Sequence, residues 1–417
     1  MPSANNRCRD SNPTRSMSDN NNYSACANLR DDCCGCEVCI SVCPKGVFSH
    51  ARDSAGFLYP EVDASKCVSC GLCARKCPVL NAEKIAAASH NIEVYAGWHT
   101  DEKTLAESSS GGFFSALSKA VFDIGGKVAG AVYSGDFRAV EFFLADNYTQ
   151  TRNMRGSKYV QGKKADIYAK IKSALATSPV LFCATPCEVA ALISYLGKNP
   201  ANLYTCDFLC HGPTTPLALA QTVDFLQEKY SAKISELTMR YKRFGWFKKH
   251  IFRCKFSNGK VFEKFFGNMP IGRAFSVLKR KSCHNCKFKG DNRAADLTMA
   301  DYWNIVDNRE GIEYNKDGTS LVIVNTSKGA EIFSRTKNFK SIDTLDFFRR
   351  RAPHALDHCA PISPARKSLE ADFAAKGLVK AVESSKSTKS RLMEFVPVPV
   401  KYYALKLAAA AKKLLRK

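Results

Sequence analysis

Eight cysteines near the N-terminus fall into two copies of one pattern, C-x2-C-x2-C-x3-C-P. The copies are Cys33, Cys36, Cys39, Cys43 and Pro44, then Cys67, Cys70, Cys73, Cys77 and Pro78, every position recurring 34 residues later. Thiolates at this spacing hold four-iron clusters, and the fourth cysteine of each run ligates the other cluster. One centre is therefore expected to use Cys33, Cys36, Cys39 and Cys77, and the other Cys67, Cys70, Cys73 and Cys43. Three close thiolates wrap one face of a cubane, and the proline ends the turn so that the fourth points across a pseudo-twofold axis. Paired C-x2-C motifs also suit tetrahedral zinc, but zinc needs neither the third cysteine, the trailing proline nor the duplication. Disulfides fit poorly, because the opening residues MPSANNRCRDSN are polar and lack the apolar stretch of a signal peptide. A reducing cytoplasm is the expected setting. Cys8, Cys26 and Cys34 fall outside the register and are read as spectators.

The chain that must position these thiols has 417 residues, several times the segment of about 55 that carries both cluster motifs. One large or two ordinary further domains have room to fold. A hydrophobic content of 45% with 11% aromatics is that of a globular protein. The nearest approach to a membrane span, residues 178–197, is broken by Thr185, Pro186 and Glu188. By composition, residues 1–28 form a tail expected to be disordered and 29–85 the ferredoxin-like two-cluster domain. Over 92–350, strand-length apolar runs alternate with helical periodicity, and 365–417 form a basic appendage. The expected class is α+β, the cluster domain being followed by a larger mixed α/β domain.

The formal charge of +23 falls to about +19 once two clusters with four thiolates each are counted at two negative charges apiece. That basicity favours an acidic partner, such as another ferredoxin or similar redox protein, a nucleotide cofactor or an anionic membrane. The excess has two foci. Residues 366–417 hold 13 basic and 4 acidic side chains, and residues 239–260 (MRYKRFGWFKKHIFRCKFSNGK) interleave cations with aromatics. Such interleaving can stack bases, but it also describes a strand pair with one buried face, which is the reading adopted, and no nucleic-acid partner is expected. The terminal KYYALKLAAAAKKLLRK spaces Leu407, Ala411, Leu414 and Leu415 as on a helix, either packed on its own domain or lying at an anionic membrane surface.

Three strand-loop-helix units stand out in the large region. Ser109, Ser110, Gly111 and Gly112 lead into FFSALSKAVF, so hydroxyls and glycines meet a helix N-terminus, the makings of a phosphate site or of an ordinary capped helix. In PVLFCATPCEVAALISYLG a strand ends at a loop where Thr185, Pro186 and Glu188 spell a capping box, setting Cys187 in the first helical turn, where amide dipoles favour thiolate. LYTCDFL, Cys210-His211-Gly212-Pro213 and Thr215-Pro216 repeat the arrangement; if the two strands are parallel neighbours, both cysteines emerge at one sheet edge. Cys283 and Cys286 follow, then Asp296 and Asp301-Tyr302-Trp303. Cys187, Cys210, Cys283 and Cys286 would suffice for a further iron-sulfur cluster, for zinc, or as buried structural thiols. His211 is a candidate proton donor by its loop position, and equally a structural hydrogen-bond partner.

The succession SSGG, GSKYVQ (residues 156–161), ATPCEVAAL, CHGP, RYKRFGW, CHNCKF and ADLTMADYW resembles the beta subunits of coenzyme F-420 hydrogenases and dehydrogenases, in consistent order over about 92–330. That family also includes F-420-dependent oxidoreductases and 7-hydroxymethyl chlorophyll a reductase. The resemblance implies an FAD-containing domain with an additional four-iron cluster, coupling a two-electron carrier to one-electron centres. Carried over by position, Cys187, Cys210, Cys283 and Cys286 become that cluster's ligands. Ser109, Ser110, Gly111, Gly112, Lys158, Tyr159, Gln161 and Thr185 become flavin contacts, with Lys158 facing a phosphate or the flavin N1 region. Cys183 stands where the family usually has a small non-thiol residue, and Cys206 is likewise extra. The expected protein is an iron-sulfur flavoenzyme passing electrons between a ferredoxin-type carrier and a small organic substrate or deazaflavin-like coenzyme. The alternative is a non-catalytic electron-transfer subunit of a larger complex.

Overall fold

Both cysteine runs fold the same way. A cysteine in extended conformation opens each run, a left-handed residue (Glu37, φ 66°; Gly71, φ 67°) caps a five-residue helix (Val38–Val42; Leu72–Lys76), and an extended cysteine (Cys43, φ −73°; Cys77, φ −72°) ends it. The prolines then stop any further helix, since proline biases the residue before it away from helical angles. The hairpin of β1 (Phe48–Arg52) and β2 (Leu58–Val62) joins the two turns. The computed structural model describes residues 26, 29–85, 92–164, 166–247, 250–385 and 396–414. The tail expected to be disordered lies outside these apart from Cys26, as does Leu415 of the terminal helix.

The larger region supplies β3 (Glu93–His99), β4 (Lys127–Tyr133), β5 (Val140–Ala145), β6 (Val180–Cys183) and β7 (Leu203–Phe208). It continues with β8 (Ile234–Tyr241), β9 (Ile251–Phe256), β10 (Val261–Phe265), β11 (Leu297–Asp301), β12 (Ser320–Val324) and β13 (Phe339–Asp343). Eight of these form one mixed sheet in the order β13-β3-β12-β11-β7-β6-β4-β5. β11, β7, β6 and β4 are parallel neighbours, and β12 runs antiparallel to both β11 and β3. The C-terminal ends of β3, β4, β6, β7 and β11 therefore share one edge, where open α/β sheets place their ligands. β6 and β7 are parallel as anticipated, with Cys183 opposite Cys206.

Central parallel strands are covered on both faces, which is why VLFC and LYTCDF are apolar and almost wholly buried. One face packs Leu181 and Val322 against Phe113, Leu117 and Val121 of the helix Phe113–Asp123. On the other, Val180, Phe182 and Leu203 meet Ile167, Ile171, Val189 and Leu192, and also Val38 and Cys36 of the cluster domain. The first cysteine run is thus built into the same core as the sheet, while Cys77 and Val79 of the second pack with Cys26 and Cys39 in a smaller cluster of their own.

The basic, aromatic segment 239–260 is a strand pair. β8 and β9 are antiparallel, and Met239, Phe252, Cys254 and Phe256 point into a core shared with the helix Pro216–Tyr230. The first part of the basic appendage joins that core too, through Leu369, Phe373, Leu378 and Val382. Its last helix, Val398–Leu414, stacks Tyr402 on Phe244 with ring centroids 4.0 Å apart while Tyr403, Leu405 and Leu407 stay exposed. Among the described residues no helix is long and apolar enough to cross a membrane.

Candidate iron-sulfur and cofactor site

The N-terminal cysteines group crosswise around two cavities. Cys33, Cys36, Cys39 and Cys77 line one cavity with Leu58, Pro60 and Val79, and Cys43, Cys67, Cys70 and Cys73 line another with Val47, Phe48 and Leu72. Soft thiolate donors on apolar walls suit an iron-sulfur cubane, and the Gly35 amide donates to Cys33 Sγ at 3.4 Å. All four thiols of the first set are buried, whereas the second set reaches the surface through Cys70 and the 58% exposed Val68.

A third set forms at the sheet edge. Cys187 sits in the first turn of the helix Pro186–Leu196, Cys210 follows β7, and Cys283 and Cys286 lie in and just after the 3-10 turn Lys281–Asn285. All four line one cavity of about 110 Å³. Burial, and then repulsion from neighbouring thiolates, raises Cys210 to about 12 and Cys286 to about 11 and pushes Cys283 well up. Iron relieves that repulsion by binding the thiolate form. The helix start is held by Glu188, whose carboxylate accepts from the Thr185 amide at 3.0 Å. Gly212 N–H donates to Cys210 Sγ at 3.2 Å, and Lys289 bridges the carbonyls of Cys210 and Ala355 at 2.7 Å each.

The loop from Cys33 to Cys36 is gripped by buried side chains of the large domain. Arg280 Nε donates to Cys33 O at 2.6 Å, Lys164 Nζ to Gly35 O at 3.2 Å and Tyr168 OH to Cys36 O at 2.7 Å. Gln161 accepts from Arg280 at 3.1 Å and from Leu58 N at 3.3 Å. Gly35 must be glycine: its φ is +72°, and a Cβ would come within 2.5 Å of Gln161 Nε2. Lys164, 1% exposed in its side chain, pairs with Glu188 at 2.7 Å while its own amide donates to Glu37.

The segments expected to touch flavin meet only in part. Ser157 N and Oγ lie 2.7 and 2.9 Å from Ser109 Oγ, Ser110 Oγ donates to Thr319 O, and Gly111 N to Ser320 Oγ. Lys242 fastens this loop by donating to the carbonyls of Leu105, Ser110 and Asp317. Gly112, at φ +83°, starts the helix Phe113–Asp123 directly against His99. His99 Nδ1 accepts from the Asp101 amide, so the neutral ring carries its proton on Nε2, which is buried and unpartnered among the described residues. Ser115 Oγ and Arg155 Nε are likewise buried without partners there. Unused donors at a helix N-terminus suit a phosphate-bearing cofactor.

Lys158 donates to the carbonyls of Met154, Arg155 and Gly156 at 3.1–3.3 Å, and burial lowers its pKa to about 7. Tyr159 packs on Phe266 and Phe275 and reaches Arg240. Gln161 and Thr185 belong to the thiol side: the former is committed to Leu58 and Arg280, and Thr185 Oγ1 lies 3.2 Å from Cys187 Sγ. His211 is exposed at the cavity mouth, where desolvation, Lys289 and Lys279 lower its pKa to about 4.

Arg240 grips Asp301, at the end of β11, through both guanidinium NH2 groups, and Trp246 Nε1 donates to the same carboxylate at 2.6 Å. Burial opposes ionisation of Asp301, but Arg240 outweighs it and the pKa falls below 3.8. A depressed carboxyl stabilises the fold fully above its unfolded value and less as pH falls through its folded one. Asp301→Asn should therefore lower the urea midpoint at neutral pH and lose less than wild type between pH 3.8 and more acid conditions; parallel midpoint-pH curves would contradict this.

Sequence reasoning passed over His99, Arg155, Arg280, Lys164 and Lys242. Nothing local marks a cation as buried; only the partners brought by the fold do so.

Thiol sets lining three cavities, one of them opening on the surface, define an iron-sulfur electron-transfer protein. Residues 29–81 match the 4Fe-4S dicluster domain, and residues 178–347 match the family model described as the C terminus of the coenzyme F420 hydrogenase/dehydrogenase beta subunit. Over 49 residues the chain is 41% identical to an uncharacterised ferredoxin of Methanocaldococcus jannaschii, covering 12% of this chain and 62% of the relative. Over 50 residues it is 36% identical to a pyruvate synthase subunit of Methanothermobacter marburgensis, covering 12% and 52%. It thus spans 62% and 52% of the lengths of these curated relatives. A chain in a structure of the F420-reducing [NiFe] hydrogenase complex from Methanosarcina barkeri is similar with a TM-score of 0.41 and 15% identity, over 70% of this chain and 90% of that one.

Proposed function

We propose that this protein is an iron-sulfur flavoprotein oxidoreductase, passing electrons between a ferredoxin-type one-electron carrier and, through FAD, a small organic substrate or deazaflavin-like coenzyme. The observation that carries the proposal is the meeting of Cys187, Cys210, Cys283 and Cys286 at the sheet edge, beside the Cys33–Cys36 loop. The twelve cysteines hold three four-iron clusters. The outer cluster (Cys43, Cys67, Cys70, Cys73) faces a docked acidic redox partner, the inner one (Cys33, Cys36, Cys39, Cys77) relays, and the third stands at the substrate domain. The domain limits are those expected from composition, with 29–85 as electron relay and 92–350 as the catalytic unit. The exposed Tyr403, Leu405 and Leu407 among the lysines of the terminal helix suit an acidic protein or an anionic membrane.

The residues fit a flavin nucleotide: Ser109 and Gly112 at a helix N-terminus, and the unpartnered donors of His99, Ser115 and Arg155, match a pyrophosphate's need for hydrogen bonds and positive potential. When bound, FAD supplies the exchange between two-electron and one-electron chemistry. The chain's own part is to hold its anionic end, orient it through the loop that Lys242 fastens, and keep water from the buried thiols.

Acid release of flavin from protein purified without oxygen tests this reading. About one FAD per chain is expected. Filled iron sites without flavin would replace it by a second reading, a non-catalytic electron-transfer subunit, which the surface exposure of the outer cluster also suits.

A further inference from the structure

Two cysteines outside every ligand set lie between sets. Cys34 lines both the inner-cluster cavity and the third-cluster cavity, beside Cys36 in the one and Cys187 in the other. Cys26, 2% exposed, packs against Cys39 and Cys77 of the inner set and against Cys73 of the outer one. Their place outside the register reads as that of spectators, while the fold puts each at a boundary between two thiol sets.

We infer that Cys34 is a sulfhydryl bridge, donating its S–H to the ligand sulfurs Cys36 and Cys187 and so setting the relative potentials of the inner and third clusters, with Cys26 serving the inner and outer clusters in the same way. The inference rests on the three-cluster reading above. Iron-bound cysteines are thiolates and have no proton to give, so among Cys34, Cys36 and Cys187 only Cys34 keeps one. An S–H is a weak donor, strengthened when the acceptor is charged. Adding an electron to a cluster increases negative charge on its sulfurs, so a donor there favours the reduced form, and hydrogen bonds to sulfur are among the determinants of cluster potential.

The surroundings hold this contact in place. The carbonyls of Cys33, Gly35 and Cys36 are held by Arg280, Lys164 and Tyr168, and the close approach of Gln161 and Arg280 leaves no space for a side chain at Gly35. Cys187 is fixed from its own side by the helix start at Thr185 and Glu188. Three buried side chains thus grip a loop of four residues whose one non-ligand thiol also lines the third-set cavity.

Iron and sulfide content, with potentiometric EPR titration of the anaerobic full-length protein, tests the bridge in Cys34→Ala, Cys34→Ser and Cys26→Ala. In Cys34→Ala the cluster content should stay at wild-type level. Its inner and third clusters should each become harder to reduce by roughly tenfold in the reduced-to-oxidised ratio, which is about 59 mV for one electron. Serine, which keeps a donor, should restore most of the shift. Cys26→Ala should move the inner and outer potentials and leave the third unchanged. Unaltered potentials at full iron content would overturn the bridge while leaving three clusters standing. Loss of about four iron atoms in Cys34→Ala would overturn it by making Cys34 a ligand. Wild-type protein with only about eight iron atoms would instead remove the three-cluster reading itself, and the Cys34 bridge with it.

Discussion

Cys187→Ser should cost this protein a whole redox centre, lowering iron from about twelve to about eight atoms per chain while both N-terminal clusters remain. Serine nearly preserves the volume of the side chain, and the helix start does not depend on the thiol, because Glu188 and Pro186 supply the cap. The fold should therefore survive, and the loss should appear in iron and sulfide analysis and as the disappearance of one EPR signal on stepwise reduction. Electrons delivered to the outer cluster should then reach the inner one and stop there, so reduction of any flavin by dithionite-reduced ferredoxin should slow far more than the reduction of the N-terminal clusters. An unchanged iron content would show that Cys187 is a structural thiol and would dissolve the third centre.

The other large effect concerns Lys164→Met. This lysine is 1% exposed in its side chain and stands between Glu188 and the carbonyls of Gly35 and Gly162, with its amide on Glu37. Burial alone would lower its pKa, but Glu188 and Glu37 reverse that and raise it. The stabilisation from this raised group is complete below 10.5, the ordinary lysine value, and is lost only as pH rises through the higher folded one. Removing one partner of a buried pair leaves the other charge uncompensated, at a cost of about 3–5 kcal/mol. Lys164→Met should lower the denaturant midpoint accordingly at neutral pH, and Lys164→Met with Glu188→Gln should recover part of the loss. Because the same side chain holds the Cys33–Cys36 loop, proteolysis between the cluster domain and the sheet domain should also become faster. A midpoint within experimental error of wild type would mean that the junction does not depend on this ion pair.

The grouping of the N-terminal thiols was legible in the sequence because their chemistry is local. Three thiolates spaced by two residues form one face of a cubane whatever the rest of the chain does, and the duplication supplies the fourth ligand of each. The helix starts after Gly112, Pro186 and Pro216 were legible for a similar reason, since each is specified within one turn by a cap, a proline or a glycine. The flavin contacts were less so. Gln161 and Thr185 lie in the motifs that resemble the family, yet a motif spans residues whose side chains leave the backbone on different sides. Gln161 turns to Arg280, while Ser157, four residues earlier, turns to Ser109.

By itself, then, the sequence determined which N-terminal thiols group together, that a mixed α/β domain follows, and that residues 239–260 pair as strands. All of these follow from spacing of two, of three to four, or of a few residues. Only the tertiary structure decided that Cys187, Cys210, Cys283 and Cys286 share a cavity, and that Arg280 and Lys164 are buried cations of a domain junction. It alone decided that His99 presents an unused donor at a helix N-terminus and that Cys34 lines two thiol cavities. The physical reason is the parallel sheet. Its strands bring loops from far apart in the chain to one edge, and what meets there depends on strand order, which no local spacing encodes.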